Sequence, residues 1–134
     1  MATNIFINLP VADLEASKAF FGKLGFSFNP QFTDETAAAM VIEENIFSML
    51  LTHEKFKQFT PKVIADAKIS SEVLIAISRD GREAVGELFD KAIAAGGTEV
   101  RPGDDYGFMV SKAFADLDGH IWEVVWMDPN YVQG

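Results

Sequence analysis

Apolar residues along this chain switch between two spacings, and the switches predict its elements. Ile5-Phe6-Ile7-Asn8-Leu9 has the composition of a strand, and Pro10 closes it because proline cannot donate to a ladder. Leu14, Phe20, Phe21 and Leu24 then fall on one helical face, with Glu15, Lys18 and Lys23 outside it. Asp13 precedes that stripe as an N-cap, and Gly25 follows it as a stop. Residues 26–32 form a strand made irregular by Asn29-Pro30, and 37–42 with 46–51 read as a hairpin around Glu43-Glu44-Asn45. Residues 53–71 carry alternating charge around Phe56, Phe59, Val63 and Ile64, with Pro61 in the middle. They predict a short helix, with Phe56 and Phe59 sharing one face, and then a connecting segment; the pair either packs on the helix's own core or belongs to a mobile lid.

The second half repeats the order of the first. Glu72-Val73-Leu74-Ile75-Ala76-Ile77 is a mostly buried strand, and Asp80 caps a helix over 82–95 with the stripe Val85, Leu88, Phe89, Ala92 and Ile93. Gly96-Gly97 stops it, 98–101 is a short strand, and Pro102-Gly103-Asp104-Asp105 reads as a turn. Residues 106–114 and 121–127 are the last strands, followed by a loosely packed tail. Strand, helix, glycine stop, strand and hairpin thus occur twice, over about 4–52 and 72–127 with a linker at 53–71. A βαβββ unit has a sheet face that one helix cannot cover, and two units side by side can wrap a shared cavity. The expected fold is α+β, one domain over 1–134. Its two βαβββ modules form a cup-shaped, partly open mixed sheet with helices outside.

One stretch draws chemical interest. Asp116, Asp118 and Gly119 make a tight turn before the apolar strand Ile121-Trp122-Glu123-Val124-Val125-Trp126. Alternation places Ile121, Glu123 and Val125 on one face and Trp122, Val124 and Trp126 on the other. A carboxylate in so apolar a strand is costly unless paired, hydrogen-bonded, protonated or bound to a metal, so Glu123 is the leading site candidate.

Composition narrows the partners. A formal net charge of −9 with no basic patch argues against nucleic acid and against an anionic membrane surface. No cysteine is present, so disulfide and thiolate chemistry are excluded. The first residues lack the basic and apolar regions of a signal peptide, and no apolar run reaches the roughly 18 residues of a membrane span. The chain reads as cytoplasmic. No glycine-rich phosphate loop, nucleophile elbow or Cys/His cluster is present.

Two motifs carry a resemblance. Leu9-Pro10-Val11-Ala12-Asp13-Leu14 with Phe20-Phe21-x-x-Leu24-Gly25-Phe26 lies near the start. Phe114-x-Asp116-x-Asp118-Gly119-His120-x-Trp122-Glu123 lies near the end. Together with the repeat, they make the chain resemble the vicinal oxygen chelate superfamily of glyoxalase I, bleomycin-resistance proteins and extradiol dioxygenases. The resemblance implies a homodimer and four metal-ligand positions, one from an equivalent strand in each quarter of the cup. It places the first at Phe6, where His is usual, the second near Leu50, the third at Glu72 and the fourth at Glu123. Two of the four are apolar, whereas a catalytic divalent site normally has at least three protein ligands. The expected cofactor is therefore either none or a divalent metal held by Glu72 and Glu123 with water or substrate, to which His53 could add a ligand.

Two functions compete on this basis. The first is a small-molecule-binding protein with a degraded metal site, holding an aromatic or cationic compound in a Phe/Trp-lined, acidic cleft. The second is a metal-dependent lyase, isomerase or dioxygenase acting on a small oxygenated substrate, with Glu123 and Glu72 as catalytic groups. The ligand set speaks against lactoylglutathione lyase activity itself. Without a metal, two carboxylates on one apolar face would raise at least one pKa and suit general acid–base work. Phe6, Asn8, Phe47, Leu50 and Trp122 are candidate ligand-binding residues. Arg101 and Tyr106 flank the Pro102–Asp105 turn, either meeting an anionic substrate group or lying in solvent.

Overall fold

A computed structural model describes residues 3–131, and the chain divides near Ala65 into two compact units. In the first unit β1 (Ile5–Val11) leads through Asp13, whose side chain accepts the Ala16 N–H, into α1 (Leu14–Lys23). Gly25, at φ 102°, turns the chain out of the helix, a conformation costly for any residue with a Cβ. β2 (Ser27–Asn29) is cut short, because the Asn29 side chain accepts the Gln31 N–H and starts a 3₁₀ turn over Pro30–Phe32. The strand expected over 26–32 is therefore half turn. β3 (Ala37–Glu43) and β4 (Ile46–Thr52) form the expected hairpin, and α2 (His53–Phe56) follows, capped by Thr52. The sheet order is β1-β4-β3-β2, with β1 and β4 parallel and the other pairs antiparallel.

α1 packs on β3 and β4 and closes the first core. Phe20, Phe21, Leu9, Val11, Met40 and Leu50 are buried there, and the Phe20 and Phe21 rings meet edge to face at 4.9 Å. Each of these large side chains contributes about 2–3 kcal/mol by leaving water. Phe59 does not join a core: it is 69% exposed, with the Lys55 ammonium 5.6 Å from its ring.

The second unit repeats the arrangement. Its elements are β5 (Leu74–Ser78), α3 (Arg82–Ala94), β6 (Thr98–Asp105), β7 (Met109–Ala115) and β8 (Ile121–Met127), in sheet order β5-β8-β7-β6. Again the first and last strands are parallel and the rest antiparallel. α3 covers β7 and β8 with Val85, Leu88, Phe89 and Ala92, over Phe114, Trp122 and Val124. The fold class read from the sequence, α+β with two βαβββ modules, holds.

Two local expectations change. Gly81 rather than Asp80 caps α3, without a side-chain bond. Within the expected Gly96-Gly97 stop, Gly96 takes the left-handed conformation. Pro102-Gly103-Asp104-Asp105 is not a turn but the end of β6, and the reversal comes at Gly107. β6 is an edge strand, where a missing N–H is tolerated, and its pairing with β7 slips on both sides of Arg101. The tail is anchored as far as Tyr131, which stacks on Phe108 at 4.0 Å; the rest of it lies outside the described residues. No described helix is long and apolar enough to cross a membrane.

Candidate functional site

Each sheet has one face under its helix and one turned away from it, and strand parity decides which side chains reach the second face. In the second unit that face carries Glu123. Register sets Ala76 on one side of it and Ala113 on the other, with Arg101 of β6 opposite Ala113. The bulges around Arg101 let its guanidinium reach across, and Nη2 donates to Glu123 Oε2. Glu123 is 20% exposed at its side chain, and this arginine is its partner.

The carboxylate most deeply placed in the second unit is a different one. Asp116 is buried in the β7–β8 turn, where Oδ1 accepts the N–H groups of Asp118 and His120, both at 3.0 Å. Its Oδ2 accepts the Trp122 indole N–H, also at 3.0 Å. Burial raises the Asp116 pKa above its ordinary 3.8, against the opposing pull of His120 and the three donors. The folded chain therefore holds this proton to higher pH than the unfolded chain does. Its contribution to stability falls as pH rises from about 3.8 through the folded value, and is constant above that. Asp116→Asn is expected to abolish the slope, so that the stability of the parent relative to the variant grows as pH falls across that window. Urea midpoints of both proteins between pH 3 and pH 7 check this.

In the first unit the uncovered face forms a pocket of about 500 Å³. Phe6, Phe32, Phe47, Met49 and Ala39 supply its apolar walls, and Asn4, Asn8 and Asn29 are its polar lining. Parallel register puts Phe6 beside Phe47 and Asn8 beside Met49. The two rings stack at 5.0 Å with only 12° between their planes. Among the described residues no charged side chain lines the pocket, so the acidity of the chain is not concentrated here. A more open cavity of about 560 Å³ in the second unit lies between residues 67–71, the start of β6 and the β7–β8 turn. Asp116, Gly119 and Ile121 of the turn and strand singled out from the sequence line it, together with none of the candidate catalytic, ligand-binding or metal residues.

Matching the repeats at the helix caps Asp13 and Gly81 sets Phe6 against Leu74 and Asn8 against Ala76. The parallel pairs Asn8 with Met49 and Ala76 with Glu123 then set Met49 against Glu123. The four equivalent positions are thus Phe6, Met49, Leu74 and Glu123. Leu50 is not among them: it is fully buried on the helix side, one residue out of phase. Glu72 is not among them either. It sits exposed in a bend ahead of β5, and the residue beside Glu123 is Ala76. Trp122 is fully buried on Asp116 and lines neither cavity. His53 is exposed at the start of α2. Tyr106 is exposed, 6.2 Å from the Phe108 ring, and Arg101 is committed to Glu123.

The structure brings Phe6, Asn8 and Phe47 together, adding Met49, Phe32, Asn4 and Asn29. Phe32 was hidden by the 3₁₀ turn, and Met49 by a one-residue error in register. A divalent metal finds a poor match in these residues, since three of the four equivalent positions carry no ligand atom a hard cation would take. Among the described residues, no group of three His, Asp or Glu could hold a metal.

Comparison with known proteins adds relatives. Residues 3–43 match the family described as bleomycin resistance protein-like N-terminal. A hypothetical protein, SA1046 from S. aureus, is 28% identical, with 93% of this chain and 94% of that one covered and a TM-score of 0.77. A glyoxalase-related enzyme from Fulvimarina pelagi is 24% identical over 93% of this chain and 88% of its own, also with a TM-score of 0.77. The fosfomycin resistance protein FosX from Listeria monocytogenes shares the fold at 18% identity, over 93% of each chain with a TM-score of 0.66. No curated protein matches the sequence.

Proposed function

We infer small-molecule binding for a chain whose architecture and first-repeat signature are those of the vicinal oxygen chelate superfamily. The ligand sits on the uncovered face of the first unit, and the superfamily's metal site has been lost. One observation carries this reading: the position where the resemblance expects a metal-binding His holds Phe6, stacked on Phe47 in a pocket with no charged lining among the described residues. Apolar clefts with a few polar groups are the usual form of a ligand site. Phe6 and Phe32 are 53% and 60% exposed, which for rings of this size marks a surface awaiting a partner.

The test is a fragment screen on the ¹⁵N-labelled chain by NMR. Binders are expected to shift the amides around Phe6, Phe32 and Phe47, and Phe47→Ala is expected to weaken them about ten-fold or more by removing half the stack. Binders that shift only the second unit would refute the assignment.

A second reading, enzyme rather than binder, draws on Glu123. With Arg101 it forms a hydrogen-bonded ion pair on the uncovered face of the second sheet, between Ala76 and Ala113 on the neighbouring strands. Conversion of an oxygenated substrate that is lost in Glu123→Gln would favour it. As to assembly, Val73, Leu74 and Met127 leave apolar surface exposed on the second unit, which supports a homodimer; sedimentation decides it.

A further inference from the structure

We propose that the first-unit pocket selects an uncharged, planar aromatic ligand bearing an amide-like edge, a donor and an acceptor side by side. The inference rests on the binding function proposed above and adds the chemical class. Its first support is that, among the described residues, none of those lining the pocket has an ionisable side chain. A charged ligand leaving water for this pocket would meet no counter-charge, and an unpaired charge is expensive to desolvate. The chain's net charge of −9 raises the concentration of cations around the protein but supplies no partner inside the pocket.

The second support is ring geometry. Phe6 and Phe47 lie nearly parallel on adjacent strands, and Phe32 contributes a third ring from the 3₁₀ turn. A flat ring can extend an offset stack on such a surface, whereas an aliphatic group of the same volume would forgo that contribution.

The third support is the state of the three asparagines. Asn8 donates its Nδ2 to the Phe6 carbonyl, which leaves its Oδ1 as an acceptor. Asn29 accepts the Gln31 N–H on Oδ1, which leaves its Nδ2 as a donor. Among the described residues Asn4 has no side-chain hydrogen bond, so both ends of its amide face the pocket as donor and acceptor. The pocket therefore offers both donors and acceptors without charge, the complement of a carboxamide, lactam or similar heterocyclic edge. A site built to hydrogen-bond such an edge rejects an analogue lacking it, because its own polar groups would be left unpaired.

A series on one ring system tests this with the full chain. The probes are 2-naphthamide, naphthalene, 2-naphthoate and 2-naphthylmethylammonium, titrated by NMR so that affinity and location are read together. The expected result is that 2-naphthamide binds at Phe6 and Phe47 at least ten-fold more tightly than the other three. Asn4→Leu with Asn8→Leu is expected to erase the preference, so that naphthamide binds no more tightly than naphthalene, and the dispersion of the variant's own amide spectrum shows that it is folded. A charged probe binding the pocket as tightly as the amide, or asparagine variants that lower both neutral probes equally, would overturn the ligand class and leave the binding function standing. No probe shifting the pocket amides would overturn both.

Discussion

Gly119→Ala is expected to destabilise the chain by about 2–4 kcal/mol, more than any other single-methyl addition in it. Two independent effects combine. Gly119 lies at φ 92°, a conformation that costs an L-residue on the order of 1 kcal/mol or more. A Cβ at this position would also stand 2.8 Å from the Lys68 backbone nitrogen and 2.9 Å from the Ala67 carbonyl. Those neighbours are backbone, so they cannot rotate away, and the linker must lift off the turn. Gly25 is the control: its φ of 102° is similar, but a Cβ there meets nothing within 4 Å. Gly25→Ala should show the conformational part alone, about 1 kcal/mol. Chemical denaturation of the two variants separates the terms; equal losses would mean that the linker does not rest on Gly119.

The second large effect is expected at Trp122. Trp122→Ala should cost about 3–5 kcal/mol, by removing the largest fully buried side chain and leaving a cavity beneath α3. Trp122→Phe keeps most of the volume but strands Asp116 Oδ2 without its indole donor, for a loss of about 1–3 kcal/mol. Neither residue lines the first-unit pocket, so Trp122→Phe should leave ligand binding unchanged. Loss of binding in this still-folded variant would return Trp122 to the candidate ligand-binding residues.

These two positions show what the sequence could and could not reveal. The apolar stripes of α1 and α3, the hairpin at β3–β4 and the repeat itself were legible because local periodicity fixes them. The Asp-x-Asp-Gly turn was legible as a turn, but its other role was not. Asp116 serves the Trp122 indole across the turn, and only the burial of both residues reveals that. Leu50 and Glu72 failed for a related reason. A strand side chain reverses its face with every residue, so an alignment uncertain by one or two positions cannot say which side chain enters a cavity. Matching the repeats puts Met49 and Leu74 at the positions where the resemblance had placed those two. Pro102-Gly103 carries every local sign of a turn, yet an edge strand with two bulges accommodates it, and that irregularity brings Arg101 to Glu123. A pair so far apart along the chain, meeting through a bulge, leaves no trace in local spacing.

The ion pair also bears on the central claim. The resemblance implies a strand carboxylate that faces a divalent cation; here Glu123 faces the chain's own guanidinium. The purified protein should therefore be assayed for metal by elemental analysis, alongside thermal melts with Ni²⁺, Zn²⁺, Mn²⁺ and Mg²⁺. The account predicts no stoichiometric metal and no rise in Tm with any of the four ions, in the parent and in Glu123→Ala alike. Near-stoichiometric metal, or a Tm raised by one ion and lost in Glu123→Ala, would contradict it and put a working metal centre in place of the binding pocket.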